Sequence, residues 1–99
     1  MIAVSERAKD LLLERKTEAN ISDPAVGLRV SSDPSGQWIL VADQRRSGDQ
    51  VVEHDGVTVL LLSPDIQSAL VGIRVDCVET QEGMMELALT RTSATDGLP

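Results

Sequence analysis

The chain has 99 residues, of which 41% are hydrophobic and 25% are charged, a composition that is ordinary for one globular domain. Its 9 lysine and arginine residues against 16 aspartate and glutamate residues give a net charge of −7, which excludes nucleic acid and anionic membranes as expected partners. Trp38 is the single aromatic residue, so the core must be aliphatic and no set of rings is available for base stacking.

Cysteine content and hydropathy bear on the cellular compartment. The single cysteine rules out an internal disulfide, which fits a reducing compartment. The opening residues MIAVSERAKD are charged from position 6 and show no secretory signal. The longest apolar run, VTVLLL, is far shorter than the roughly 20 residues that span a bilayer. We therefore expect a soluble cytoplasmic protein.

A short strand and a helix open the predicted fold. Ile2 and Val4 have the spacing of a short edge strand, and Ser5 is a favourable N-cap for a helix over residues 5–19. The helix face expected to pack on the core is formed by Ala8, Leu11, Leu12, Arg15 and Ala19. The side chains expected to face water are Lys9, Asp10, Glu14 and Lys16.

Two hairpins follow the helix. The segments GLRVS (27–31) and QWILVAD (37–43) alternate in polarity, and the residues of Asp33–Gly36 between them suit a type I turn. In the second hairpin, Asp55-Gly56 supplies a two-residue turn between two apolar runs. Residues 57–62 are apolar on both faces, which predicts a strand that is covered on both sides.

A second helix and a third pair of strands complete the domain. Ser63-Pro64 begins a short helix that extends to Val71, and Gly72 ends it. The last two strands are predicted over residues 73–79 and 84–90. The largely buried residues are expected to include Leu11, Leu12, Leu28, Val30, Leu40, Val59, Leu61, Val75 and Leu87.

These elements predict one mainly β (α+β) domain over residues 1–90. Its antiparallel strands would form a compact sandwich or pseudo-barrel, with an N-terminal helix and one short helix. Residues 91–99, RTSATDGLP, carry too little apolar surface to pack and are predicted to form a disordered C-terminal tail.

Four sequence phrases, taken in order, cover nearly the whole chain. They are MIAVSERAKDLLLE, VGLRVSSDPSG, GDQVVEHDGVTVLLLSP and LVGIRVDCVETQEG. Together they resemble the HesB-like domain of the A-type iron–sulfur cluster assembly proteins. The resemblance implies the HesB-like fold and a protein partner in an iron–sulfur or sulfur-transfer pathway.

The chain departs from this family at the cysteine ligands. The family's loop presents a cysteine just before a Ser-Gly pair, whereas here Pro34 precedes Ser35-Gly36. The family's Cys-Gly-Cys near the C-terminus corresponds to TRTSATDGLP, which contains no cysteine. Because clusters are held mainly by cysteine thiolates, we expect a divergent member that has lost its cluster ligands and holds no cofactor.

Cys77 and His54 are the two weak candidates for a metal or cofactor ligand. In the resembled family the stretch around residues 76–78 normally carries an Asp-Tyr-Val tripeptide, and Cys77 stands at the position of its tyrosine. Alternation places Cys77 on the same face as Val75, which favours a buried core residue over a reactive thiol. His54 precedes the Asp55-Gly56 turn, which favours a solvated turn histidine. Five aspartates fall at turns or caps without the spacing of a calcium loop: Asp33, Asp43, Asp49, Asp55 and Asp65.

Three functions stay open at this point. The first is a non-catalytic binding or scaffold module, related to iron–sulfur cluster biogenesis, that has no cluster of its own. The second is a diverged iron or iron–sulfur carrier that uses Cys77 at a subunit interface, which requires a homodimer. The third is a small enzyme, which rests only on one cysteine and one histidine, since the P-loop, G-x-G-x-x-G and G-x-S-x-G motifs are absent.

Overall fold

A computed structural model describes residues 2–91 of the chain. These residues form seven strands and two helices in the order β1 (Ala3–Val4), α1 (Glu6–Glu18), β2 (Val26–Ser32), β3 (Trp38–Gln44), β4 (Gln50–His54), β5 (Val57–Leu62), α2 (Pro64–Ala69), β6 (Ile73–Glu79) and β7 (Met85–Arg91). The predicted mainly β architecture with an N-terminal helix and one short helix is confirmed.

The strands form two sheets, with the orders β1-β6-β7 and β3-β2-β5-β4. The hairpins β2–β3, β4–β5 and β6–β7 pair antiparallel, as predicted. The Asp55-Gly56 turn also has the positive φ angles, 55° and 79°, that a tight hairpin requires. The structure adds two parallel pairings, β2 with β5 and β1 with β6, that no local turn signal could predict.

Helix α1 begins as the sequence predicts. The Ser5 hydroxyl accepts a hydrogen bond from the backbone N–H of Ala8 at 3.1 Å, which satisfies a donor in the first turn. The same hydroxyl donates to Asp76 Oδ1 on β6 at 2.7 Å. The cap therefore fixes the helix start and also joins it to the neighbouring sheet.

Lys16 corrects the predicted polar face of this helix. Only 1% of Lys16 is exposed, and its ammonium donates to the backbone oxygens of Thr58 at 2.9 Å and Asp23 at 3.2 Å. Residue 16 lies one turn beyond the buried Leu12, so its aliphatic stem packs with the core while its charge reaches carbonyls at the margin. The prediction that Arg15 and Ala19 belong to the core-facing side of the helix is wrong, because both residues are exposed.

The core lies between helix α1, β5 and β6. Strand β5 is central in its sheet, and its residues 59–62 are at most 1% exposed, as predicted for a strand covered on both sides. The expected core residues that are buried are Leu11, Leu12, Leu28, Val59, Leu61 and Val75. Val30 and Leu87 are half-buried.

Leu40 is the expected core residue that is exposed, and its position reveals an open side of the sandwich. It pairs with Val30 and so lies on the inward face of β3, yet 37% of it is accessible. Strand β3 is one edge of its sheet and strand β7 is one edge of the other, and the two strands do not pair with each other. An apolar groove of about 580 Å³ lies between them, bounded in part by Trp38, Leu87 and Leu89.

Strand β7 is the last element among residues 2–91, the part of the chain that the structure describes. It ends at Arg91, so the predicted tail over residues 91–99 is wrong for that residue. Residues 92–99 lie outside the described residues, and for them the tail stays a prediction. Within residues 2–91, neither helix has the length and apolar character needed to cross a membrane.

Candidate functional site

The loop between β2 and β3 contains the position at which the resembled family has a cysteine. Asp33 organises this loop, because its Oδ1 accepts hydrogen bonds from the backbone N–H groups of Ser35 at 2.9 Å and Gln37 at 3.0 Å. The Ser35 hydroxyl donates to the same oxygen at 2.6 Å. The backbone N–H of Gly36 donates to the Asp33 carbonyl at 2.9 Å, which closes the predicted turn.

The hydrogen bonds within the loop stabilise the charged form of the Asp33 carboxylate. The hydrogen bond from the Ser35 hydroxyl, followed by the bond from the Gln37 N–H, lowers the pKa of Asp33 below its usual value. Pro34 occupies the second turn position, and its side chain has no donor atom for a metal. The Asp33 carboxylate, the Ser35 hydroxyl and the Gly36 N–H are therefore all hydrogen-bonded within the loop.

A buried ion-pair network lies toward the other end of the β2–β3 hairpin. The Arg29 guanidinium binds Asp49 through contacts of 2.9 and 2.7 Å and Asp43 at 2.7 Å, and it donates to the Gln44 carbonyl at 3.1 Å. Asp43 also pairs with Arg46 at 2.8 Å. The hydrogen bond with Asp49 is the main cause that raises the pKa of Arg29, and it lowers the pKa of Asp49.

No sequence signal predicted this network. The alternation of GLRVS only puts Arg29 on the face opposite Leu28 and Val30, and the turn positions of Asp43 and Asp49 had sufficient local explanations. Arg29 is in fact 7% exposed, since the loop before β4 folds over it. Because its charges are matched within the network, we assign it a structural role rather than a binding role.

Cys77 faces the core, as alternation predicts. It is 3% exposed and lies on β6 against helix α1. A cavity of about 240 Å³ beside it is bounded by Arg7, Glu14 and Met85, among others. The backbone N–H of Cys77 donates to Asp76 Oδ1 at 2.8 Å. The thiol is therefore buried, and the cavity that it borders is lined partly by charged side chains.

His54 has a partner that the sequence analysis did not find. Its Nε2 lies 2.5 Å from Asp10 Oδ1 on helix α1, and 3.9 Å from Asp55 Oδ2. The histidine side chain is only 15% exposed, so the expectation of a solvated turn histidine is wrong. The two partners are 44 residues apart in the chain, and no motif connects them.

The candidate ligands do not converge. Asp10 binds His54 and also borders the cavity beside Cys77. In the part of the chain that the structure describes, however, no three or more histidine, cysteine, aspartate and glutamate side chains are grouped so that they could hold a metal ion. Cys77, His54 and Asp10 therefore do not form a ligand set.

Comparison with known proteins identifies the fold. No family model and no curated protein matches the sequence. Among solved structures, the chain is similar to Escherichia coli SufA, a protein involved in biosynthesis of iron–sulfur clusters, with a TM-score of 0.64 and 17% identity over 91% of this chain and 84% of that one. It is also similar to IscA with a [2Fe-2S] cluster, with a TM-score of 0.54 and 18% identity over 94% of this chain and 86% of that one.

A third similar structure is a protein from Aquifex aeolicus solved by solution NMR. Its TM-score is 0.60, with 25% identity over 92% of this chain and 91% of that one. The three matches extend over nearly all of each chain, so the similarity concerns the whole domain. The fold that the resemblance implied is confirmed.

Proposed function

We propose that this chain, which has the fold of the A-type iron–sulfur assembly proteins, is a non-catalytic binding or scaffold module of the cytoplasm that holds no cluster of its own. Its role would be related to iron–sulfur cluster biogenesis and exercised through a protein partner. The observation that carries the proposal is the burial of Cys77, the chain's single thiol, at 3% exposure.

The ligand chemistry supports this proposal. Iron–sulfur clusters are commonly held by four thiolates, with histidine as an occasional substitute. Two copies of this chain offer two thiols in total, both inside the core. Pro34 replaces the loop cysteine, and carboxylates such as Asp33 are hard oxygen ligands that suit a sulfide-bridged cluster poorly.

The carrier alternative requires Cys77 to reach a subunit interface. Exposing the residues packed around it would cost roughly 1.5–3 kcal/mol for each buried apolar side chain. Because Asp10 contacts the Nε2 of His54, only the Nδ1 of that ring could act as a second ligand. An enzyme has less support, because within residues 2–91 the ion-pair partners of the His54 ring are the Asp10 and Asp55 carboxylates, with no hydroxyl or thiol nucleophile among them.

Anaerobic reconstitution tests the proposal. The purified chain is incubated with iron and sulfide, desalted, and measured for visible absorption, acid-labile sulfide and iron. We expect a colourless eluate from the wild type and from the control variant Cys77→Ser. A brown wild-type eluate whose colour is lost in Cys77→Ser would overturn the proposal in favour of the carrier.

Thiol labelling gives a second readout that does not depend on iron. We expect Cys77 to react slowly with a maleimide in the folded chain and fully after denaturation, since burial blocks access. The matched control is Met84→Cys in a Cys77→Ala background, because residue 84 is 59% exposed and its new thiol should react at once. Equally fast labelling of native Cys77 would contradict its burial and remove the main support for the proposal.

A further inference from the structure

We propose that the apolar groove between β3 and β7 is a binding site for a single-chain carboxylate of the fatty-acid class. Its hydrocarbon chain would lie in the groove, and its head group would pair with Arg91. This inference adds a ligand site to the domain and does not depend on whether the chain binds a cluster. It rests on the lining of the groove, on its depth, and on the charge at its margin.

The groove is lined by aliphatic side chains and one indole. Its wall on the four-stranded sheet includes Val30, Trp38 and Leu40, and its wall on the three-stranded sheet includes Val75 and Leu89. The volume of about 580 Å³ lies within the roughly 300–1,000 Å³ of typical small-molecule sites. No described residue that lines the groove has a charged side chain, so the part of a ligand that enters it must be hydrocarbon.

The groove also reaches the core. Its lining extends from Trp38 and Leu89, which are 47% and 43% exposed, to Leu60 and Leu70, which are 1% and 4% exposed. A chain that enters at the exposed side is therefore covered by both sheets rather than laid on one surface. Each methylene buried in this way tightens binding by up to about fourfold. An acyl chain suits the groove because it is narrow and carries no polar atom beyond its head group.

Arg91 supplies a cation at the margin of the groove. Leu87 and Leu89 of β7 both line the groove, so alternation puts Arg91 on the same face of the strand, roughly 7 Å beyond Leu89. Arg91 is exposed and lies opposite Ile73 in the β6–β7 ladder. Among residues 2–91 its guanidinium has no ion-pair partner. Since a guanidinium can bind a carboxylate through two parallel hydrogen bonds, this position suits an anionic head group.

The charge of the whole chain makes the head group a test of specificity. A net charge of −7 repels anions at long range, so a carboxylate can be preferred only through a local contact such as the one with Arg91. Asp33 follows the Ser32–Trp38 pair in the β2–β3 hairpin, but its carboxylate is engaged within its own loop. We therefore expect affinity to fall from the carboxylate to the neutral alcohol, and again to the ammonium.

Titration with dodecanoate tests the site. Trp38 is the single tryptophan and lines the groove, so its emission should shift to the blue and saturate at one ligand per chain. Calorimetry below the micelle concentration gives an independent Kd. Octanoate should bind more weakly, by up to about fourfold for each methylene that it lacks. Dodecanol and dodecylamine provide the neutral and the cationic head groups.

Arg91→Gln separates the head group from the chain. It should weaken dodecanoate by about two- to fivefold, the range of an exposed ion pair, and should leave dodecanol unchanged. The matched control is Arg74→Gln. It removes the same charge from the same hairpin, but Arg74 neighbours Val75 in β6 and so lies on the face opposite the groove. Arg74→Gln should keep the wild-type preference for the carboxylate.

Leu40→Glu and Val41→Glu test the groove itself. The two residues are neighbours on β3, are 37% and 39% exposed, and give variants of equal net charge, but only Leu40 lines the groove. Leu40→Glu should weaken both dodecanoate and dodecanol at least about tenfold, because the chain would desolvate the new carboxylate. Val41→Glu should bind like the wild type. Circular dichroism should give both variants the wild-type spectrum, which separates lost binding from lost folding.

Three results would overturn the proposal. The first is a wild type that shows neither a saturable Trp38 shift nor binding heat with dodecanoate. The second is equal affinity for dodecanoate and dodecanol, which would mean that no carboxylate is recognised. The third is an equal loss in Leu40→Glu and Val41→Glu, which would place the ligand outside the groove. Each of these outcomes leaves the reconstitution test with iron and sulfide unaffected, so the two proposals can fail separately.

Discussion

Arg29 and Asp49 form a two-point ion pair, with Nη1–Oδ1 and Nη2–Oδ2 distances of 2.9 and 2.7 Å. Their side chains are only 9% and 1% exposed. The backbone N–H of Arg46 donates to the same carboxylate at 2.7 Å, so the pair ties the loop before β4 to strand β2. Because both charges are covered, neither can lose its partner without leaving a buried charge behind.

Removing the guanidinium should therefore destabilise the domain strongly. We expect Arg29→Met to lower the free energy of unfolding by about 3–5 kcal/mol, as measured by urea denaturation. Arg46→Met is the control, since the Arg46 side chain pairs with Asp43 but is 68% exposed, and it should cost about 1 kcal/mol or less. Equal losses in both variants would mean that the Arg29 network is not a buried one.

The buried lysine of helix α1 should behave as a core residue. We expect Lys16→Ala to lower the free energy of unfolding by about 2–5 kcal/mol, because it removes a packed aliphatic stem and the ammonium that donates to the Thr58 and Asp23 carbonyls. Lys9→Ala on the same helix loses an exposed pair with Glu6 and should cost about 1 kcal/mol or less. Thermal denaturation separates the two, and similar midpoints would contradict the burial of Lys16.

Acid should remove the link between helix α1 and strand β6. The hydrogen bond from Ser5, with that from the Cys77 N–H, holds the pKa of Asp76 below its usual 3.8. A carboxylate whose folded-state pKa is lowered stabilises the fold above the unfolded pKa, and this stabilisation is lost as pH falls through the folded value. The wild type should have a larger free energy of unfolding than Asp76→Asn at pH 7, and the difference between the two free energies should become smaller below about pH 4.

Urea midpoints for the two proteins between neutral and acid pH provide the measurement. Asp65→Asn serves as the control, because Asp65 lies in the short helix α2 and should leave the acid dependence of the wild type in place. A gap between wild type and Asp76→Asn that stays constant down to pH 2 would show that the Asp76 charge does not contribute.

Restoring a thiol to the β2–β3 loop should not be enough to create a cluster site. Pro34→Cys adds one thiolate to each chain, and even a dimer then presents only two at this position, whereas common clusters need four. After anaerobic reconstitution and desalting, we expect no more iron and sulfide than in Pro34→Ala. Stable retention of a cluster by Pro34→Cys alone would reveal further ligands that the present assignment lacks.

Local signals explain how much of the fold could be predicted. The Asp55-Gly56 dipeptide adopts the backbone angles that its residue types favour, and the Ser5 cap satisfies the helix start three residues away. Both are set by neighbours in sequence. The same holds for Asp33–Gly36, whose hydrogen bonds are internal to the loop.

Residues whose environment depends on distant segments could not be predicted in this way. Leu40 has an apolar side chain on an inward face, but the opposite sheet does not extend over it. Lys16 is buried because the Thr58 carbonyl, 42 residues later, accepts from its ammonium. For His54 the partner Asp10 lies on a different element, so alternation and turn chemistry contained no signal for the pair.

The parallel pairing of β1 with β6 has a consequence for biosynthesis. Ala3 pairs with Arg74 and Val4 with Val75, so β1 leaves the ribosome well before the β6 segment with which it pairs has been synthesised. Because the chain is synthesised at roughly 5–20 residues per second, the delay between β1 and β6 is several seconds, and during this time Ile2 and the apolar face of α1 are not yet buried. Closing so long a loop is also entropically slow. The order of synthesis thus sets the earliest moment at which this domain can become native.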